Sequence, residues 1–254
     1  MTRERVTLEV GRELSVRHPN KLLAAREYAS GVEGKLLTLD LSRTKMIRPF
    51  GAAMLVAMGY ECTPQNVLEI TPPEDATALR QMHALGLDRF FKPNDPKQGF
   101  DSRFLKSNVI SGVPIRPVDD NSKEFFREIV DLIEDTVTMS APIRQLVYSS
   151  IKETVDNVCV HADERSYALV AAHAVKSAQR IRITILDDGQ GIYNTLKQSK
   201  KWRSEIQNDL EAISYATRKD VTGKFEDRGR GLWLLKRFLS DNDGLLSILS
   251  GNGI

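Results

Sequence analysis

The chain has 254 residues, enough for one large domain or two of ordinary size, and its 41% apolar and 28% charged residues are the balance of a soluble globular protein. A formal charge of +2 leaves no whole-chain footprint for nucleic acid, which is not expected as a partner. No run of about 18 apolar residues is present to span a membrane, and Met1-Thr2-Arg3-Glu4-Arg5 lacks the apolar segment of a signal peptide. Cys62 and Cys159 are too few for a disulfide framework or a metal knuckle, and read as buried thiols in a reducing cytoplasm.

Residues 1–110 are expected to form a small α/β domain. Val6 to Val10 alternates as a strand does, Asn20 to Ser30 has helical spacing, and Lys35 to Leu41 reads as a buried central strand. Pro49 to Tyr60 is an apolar helix that packs on that strand, and Asn66 to Ile70 is a further strand closed by Thr71-Pro72-Pro73. Asp75 to Leu85 is an amphipathic helix with Gly86 as its cap. The order of elements, with Leu39-Asp40-Leu41-Ser42 and Gly51-Ala52-Ala53, resembles the STAS domain of bacterial anti-anti-sigma factors and transporter tails. Members regulated by phosphorylation carry a serine before that glycine. Phe50 stands there instead, so the resemblance implies a scaffold or interaction domain and not a phospho-switch.

Lys92 to Ser111 is rich in Pro, Asn, Asp, Lys and Gly and reads as a linker or long surface loop. A second domain, 111–254, then opens with a short strand from Val113 to Val118. An amphipathic helix from Glu124 to Val137 follows, with Phe125, Ile129, Leu132 and Ile133 as its apolar stripe and Asn121 or Ser122 in capping position. Ala141 to Ala162 forms one long helix with Pro142 in its first turn and Val147, Ile151, Val155 and Val158 as its buried face. On another face Glu153, Asn157 and His161 recur every four residues. A solvated charged face is the ordinary reading of such a row, and a packed or capping role is the ordinary reading of His161. Asp156-Asn157 in mid-helix is nevertheless an odd choice for a plain surface, and a carboxylate and an amide one turn apart can position water and a hard cation.

Ser166 to Val175 and Arg180 to Leu186 are two strands of a hairpin that ends in Asp187-Asp188-Gly189-Gln190-Gly191. Asp-Gly is also the commonest short-turn signal, so a simple turn is one reading and a ligand site the other. Tyr193 to Phe225 is polar and reads as a functional lid or a partly disordered insertion, with a short helix at Asn208 to Ala216. Gly229-Arg230-Gly231-Leu232 opens an apolar helix, where free N–H groups and the positive dipole end suit phosphate oxygens. A loop before a core helix is the plainer alternative. Leu245 to Leu249 reads as a last strand.

Taken in order, Glu-x3-Asn-x3-His on a helix, Asp-x-Gly-x-Gly after a strand and Gly-x-Gly-Leu opening a helix resemble the Bergerat fold of the GHKL superfamily. That superfamily includes gyrase B, Hsp90, histidine kinases, MutL and anti-sigma-factor kinases. The resemblance implies an α/β sandwich with helices on one face of a mixed sheet, and it implies ATP and Mg²⁺ as ligands. Asn157 matches the residue that holds the metal, Glu153 the carboxylate that activates water or a hydroxyl, and Asp187 the acceptor for the adenine amino group. Gly189, Gly191, Gly229, Arg230, Gly231 and Leu232 match the remaining nucleotide contacts.

No histidine stands in a dimerisation helix before this domain, so an autophosphorylating histidine kinase is not expected. The chain stops where relatives add one more strand. The functional expectation is a cytoplasmic regulator in which ATP orders the lid and controls contact with a protein partner or second subunit. The alternative is an active ATPase or anti-sigma-type Ser/Thr kinase with Glu153 as base.

Overall fold

The computed structural model describes residues 3–62, 66–91, 112–117, 123–161, 168–221 and 231–251. The side chains at 88–89, 112–117, 123–126, 155–161 and 168 fall outside that description. The expected loop at 92–111 and the caps Asn121 and Ser122 therefore lie beyond the described residues, as does the side chain of Cys159.

A parallel sheet is built where apolar residues fill one strand and alternate in its neighbours. β1 (Arg5–Glu9), β3 (Leu36–Asp40) and β5 (Val67–Thr71) pair in the order β1-β3-β5, with Leu39 opposite Leu8 on one side and Ile70 on the other. Leu37, Leu39 and Leu41 are fully buried, as the expected central strand requires. Two further two-residue strands, β2 (Glu13–Leu14) and β4 (Met46–Ile47), pair in parallel beside this sheet and went unread in the sequence.

Helix α1 (Asn20–Gly31) buries Leu22, Ala25 and Ala29, and α2 (Pro49–Cys62) is buried nearly all round, as a helix without a polar face must be. Each Leu or Met that α2 removes from water contributes roughly 1.5–3 kcal/mol. The two helices pack together, and the Arg26 guanidinium holds the Glu61 carboxylate through Nε at 3.0 and 2.9 Å. Asn66, buried, ties α1 to the sheet: its Oδ1 accepts from Lys35 N at 2.9 Å and its Nδ2 donates to Val32 O at 2.7 Å. Cys62 is buried, and burial, helped by the Glu61 carboxylate, pushes its thiol up to about 11, so it is inert as a nucleophile.

Asp75 caps α3 (Ala76–Ala84) through Thr77 N and Ala78 N, and Gly86 turns the chain in the left-handed region at φ 72° into the short α4 (Leu87–Phe90).

The second sheet has the order β6-β7-β8, from β6 (Gly112–Pro117), β7 (Ala168–Val175) and β8 (Arg180–Asp187). β6 and β7 are antiparallel with a register shift between Val113 and Arg116, and β6 packs on α2 and α3. Leu169, Val170, Ala171 and Ala172 are fully buried. His173, half-buried on β7, has its pKa lowered by burial and by the Arg182 and Arg48 cations. The folded state therefore takes up a proton less readily than the unfolded chain, and stability is expected to fall as pH drops below about 6.5. Urea midpoints at pH 7.5 and 5.5 (roughly a unit either side of an ordinary histidine) check this: His173→Gln is expected to lose less than the wild type, and equal losses contradict it.

Helices α5 (Lys123–Glu134), α6 (Ala141–His161), α7 (Gly191–Lys197), α8 (Asp209–Ala216) and α9 (Gly231–Asp241) complete the described elements. Ile129 and Ile133 of α5 are buried as the stripe predicts, and so are Val147 and Ile151 of α6. The chain is mixed α/β, and no helix among the described residues is long and apolar enough to cross a membrane.

Contacts divide the chain into two compact units. The first is Met1–Pro117, Asp131–Val137 and Leu169–Leu186; the second is Val118–Val130, Thr138–Ala168 and Asp187–Ile254. This division follows contacts, so the second sheet groups with the N-terminal elements, whereas the sequence draws its line at 110/111.

Candidate functional site

The expected site residues that are described fall in the second unit, on α6, on the turn after β8 and at the start of α9. Helix α6 packs against α9. This places Glu153, half-buried on α6, at the first residue of α9, where its Oε1 accepts from Gly231 N at 2.8 Å. The helix start explains the contact, because the first backbone N–H groups have no partner within the helix and carry partial positive charge.

Gly231 is buried, and a Cβ there would lie 2.7 Å from Glu153 Cδ and 2.9 Å from its Cγ. Only glycine lets the two helices meet with the carboxylate in this place. The N-terminus of α9 thus already holds an oxyanion, and a carboxylate oxygen stands where a phosphate oxygen can bind. Leu232 follows in the first turn, half-buried. The side chain of Asn157, four residues beyond Glu153, and residues Gly229 and Arg230 lie outside the described residues. Val155, Val158 and His161 do so as well.

At the strand end the structure departs from the buried carboxylate that adenine selectivity calls for: Asp187 and Asp188 are exposed. The reason is local: Asp187 Oδ1 accepts from Gly189 N at 2.9 Å, closing a side-chain turn at the end of β8. Gly191 starts α7 at φ 78°, where an L side chain is strained. A Cβ there would also lie 3.1 Å from Ser250 Oγ. Ser250 Oγ in turn accepts from Ile192 N at 2.8 Å and so caps α7 from 58 residues away. Ser250 was not among the expected residues, and nothing in its local sequence announces the contact.

Two further expectations are corrected. The stretch read as a lid is folded over 193–221. Leu196, Ile206, Ala212 and Val221 form a buried core, and Ile192, Tyr193, Trp202, Tyr215 and Ala216 pack against it. The short helix expected there is α8, capped by Asn208 Oδ1 on Glu211 N at 2.9 Å, while Glu211 Oε2 accepts from Gln207 N at 2.7 Å.

Leu245 to Leu249 is not a strand. Leu245 is 73% exposed, the segment is irregular, and only Ser250 forms a single bridge. This tail serves the helix starts instead. Ser250 caps α7, and Gly251, at φ 57°, lies so close to the Asp209 carboxylate that a Cβ would meet its Oδ1 at 2.4 Å.

Among the described residues no group of three His, Cys, Asp or Glu is gathered to hold a metal ion. The observation that bears on fit to a triphosphate is the glycine cradle at the start of α9, which accepts an oxyanion and leaves no room for a side chain. No family model matches the chain, and neither does any curated protein or solved structure.

Proposed function

We propose that the chain is an ATP- and Mg²⁺-binding regulator of the GHKL type, with a Bergerat-type nucleotide site in its C-terminal half and a STAS-like N-terminal half. The observation that supports this reading is the Glu153–Gly231 hydrogen bond. It joins two of the three sequence boxes, 78 residues apart, at a helix start suited to phosphate. In this reading Asp187 accepts from the adenine amino group, Asn157 holds the metal, and the backbone from Gly229 to Leu232 faces the phosphates.

When bound, Mg·ATP supplies a γ-phosphoryl group whose charge the metal offsets. The chain's own part is to exchange one anion for another. With a phosphate at the start of α9, Gly231 N–H would donate to it instead of to Glu153, and the Glu153 carboxylate would then turn to a water or a partner's hydroxyl and accept its proton. Because Glu153 belongs to α6 and Gly231 to α9, that exchange acts on the packing of these two helices. Nucleotide state thereby reaches a surface that a protein partner or second subunit can read.

The alternative, an ATPase or an anti-sigma-type Ser/Thr kinase, uses the same carboxylate as base. Glu153→Gln separates the two. The amide keeps an acceptor for Gly231 N–H, so ATP affinity is expected to stay within about threefold, while any phosphate release is lost because the amide is not a base. Wild-type release that vanishes in the variant favours the enzyme. Binding without release in either protein favours the regulator. Release undiminished in the variant removes Glu153 from the chemistry.

A further inference from the structure

The nucleotide reading leaves a run of cations unused. Lys197-Gln198-Ser199-Lys200-Lys201-Trp202-Arg203 carries four cations and no acid. The second unit sets these and others over aromatic rings. Lys197 Nζ lies 5.4 Å from the ring centre of Tyr193, Lys201 Nζ 4.4 Å from that of Trp202, and the Arg218 guanidinium carbon 3.9 Å from that of Tyr215. Lys219 Nζ and the Arg237 guanidinium carbon lie 5.6 and 5.8 Å from Trp233.

These contacts are continuous. Trp202 and Tyr215 meet edge to face at 5.9 Å, and both pack with Tyr193 on the small core under α7 and α8. Lys236 Nζ reaches Thr217 Oγ1 at 3.4 Å and links α9 to the end of α8. Five cations thus lie within 6 Å of a ring centre between Tyr193 and Arg237, Lys201 and Arg218 the nearest. Among the described residues only Arg237 of these cations has a carboxylate within ion-pair reach, Asp241 at 3.9 Å.

We propose that this surface, formed by α7, the segment after it, the end of α8 and α9, binds single-stranded nucleic acid through its phosphates. A cation stacked on a ring keeps outward N–H donors and has less side-chain freedom to lose on binding. The rings are half-buried, and cations set among aromatics are the side chains that a single strand of phosphates and planar bases binds. The near-neutral charge of the whole chain is no obstacle, because screening limits each phosphate to cations within about 8 Å. An anionic bilayer is the poorer match, since Tyr193, Trp202 and Trp233 are half-buried with cations over them and are not free to insert. An acidic peptide supplies the charge but no planar groups for the rings.

Fluorescence anisotropy of a labelled oligothymidylate over a salt series, without nucleotide, tests this. Binding is expected for the wild type at low salt. The triple variant Lys197→Gln/Lys201→Gln/Arg218→Gln is expected to bind about tenfold or more weakly, its salt slope lower by about 2, at roughly 0.7 per lost phosphate contact. Arg12→Gln/Lys21→Gln/Arg43→Gln, on exposed cations of the first unit, is expected to change neither. If the triple variant unfolds on heating below the wild type, single Lys201→Gln and Arg218→Gln must each lower the slope by about 0.7.

No binding by the wild type overturns the proposal, and so does equal weakening by the two triple variants. Capture by vesicles of phosphatidylserine and phosphatidylcholine with no oligonucleotide binding gives the surface to membranes. None of these outcomes bears on whether ATP binds at Asp187 and Gly231.

Discussion

Replacing Gly51 by alanine is expected to destabilise the first unit by about 2 kcal/mol or more, the reverse of what Gly→Ala does in an open helix. Alanine in a helix interior ordinarily gains about 0.5–1 kcal/mol over glycine by restricting the unfolded chain. Gly51 sits in the first turn of α2, and its missing Cβ is the space that β2 occupies. An added carbon would lie 2.3 Å from Leu14 Cβ, 2.6 Å from Leu14 O and 2.8 Å from Leu14 C. Two of these are backbone atoms of a paired strand and cannot rotate away, so β2, its pairing with β4, or α2 itself has to move. Overpacking of a buried contact costs about 1–3 kcal/mol, and the lost strand pairing adds to it. Gly31, the last residue of α1, has nothing within 4 Å of its Cβ position, so Gly31→Ala is expected to be neutral or stabilising. Urea denaturation is expected to show a lowered midpoint for Gly51→Ala and no lowering for Gly31→Ala. A Gly51→Ala protein as stable as the wild type removes it.

Replacing Asp187 by asparagine is expected to weaken ATP binding by roughly a hundredfold, without disturbing the turn that holds it. Asp187 Oδ1 is engaged by Gly189 N–H, and asparagine has an equivalent Oδ1 for that bond. Its other atom is then an NH₂ group where the aspartate presents an oxygen. The adenine amino group is itself a donor, so the variant sets donor against donor in a contact that bound adenine would shut off from water. Such a loss costs about 1–3 kcal/mol, with charged acceptors at the upper end. Unchanged affinity in a variant whose thermal unfolding matches the wild type takes the adenine away from this residue.

Where a pattern is written by burial, the fold was legible. Leu37, Leu39 and Leu41 are apolar because their strand has sheet on both sides, and Leu8 alternates with exposed residues because β1 is an edge. Spacing likewise marked α5 and α6, and the apolar run after Gly231 marked α9. Other features rest on contacts between distant residues, and no local pattern carries them. Leu196, Ile206, Ala212 and Val221 have no common period, so the core that makes 193–221 a folded piece was invisible. The short apolar run from Leu245 to Leu249 suits a strand, but a strand needs a neighbour to pair with, and the tail is used to cap α7. β2 and β4, at two residues each, are too short for any periodicity.

The candidate site shows the same division. The glycines at 191 and 231 were readable as positions where the backbone approaches something. What approaches them in the structure, Ser250 and Glu153, was not. At Asp187 two readings of one dipeptide signal, turn and ligand site, started level. The observed hydrogen bond from Gly189 N–H fits the first, and the second is what the ATP titration tests.

The most direct test of the central proposal is calorimetric titration of the wild-type chain with ATP in the presence and absence of Mg²⁺. Binding that needs Mg²⁺, with GTP failing to compete because its 6-keto group sets acceptor against Asp187, is the predicted result. Heats no larger than dilution with Mg²⁺ present, at protein concentrations that detect a Kd of about 1 mM, contradict the nucleotide reading of Glu153, Asn157, Asp187 and Gly231 together.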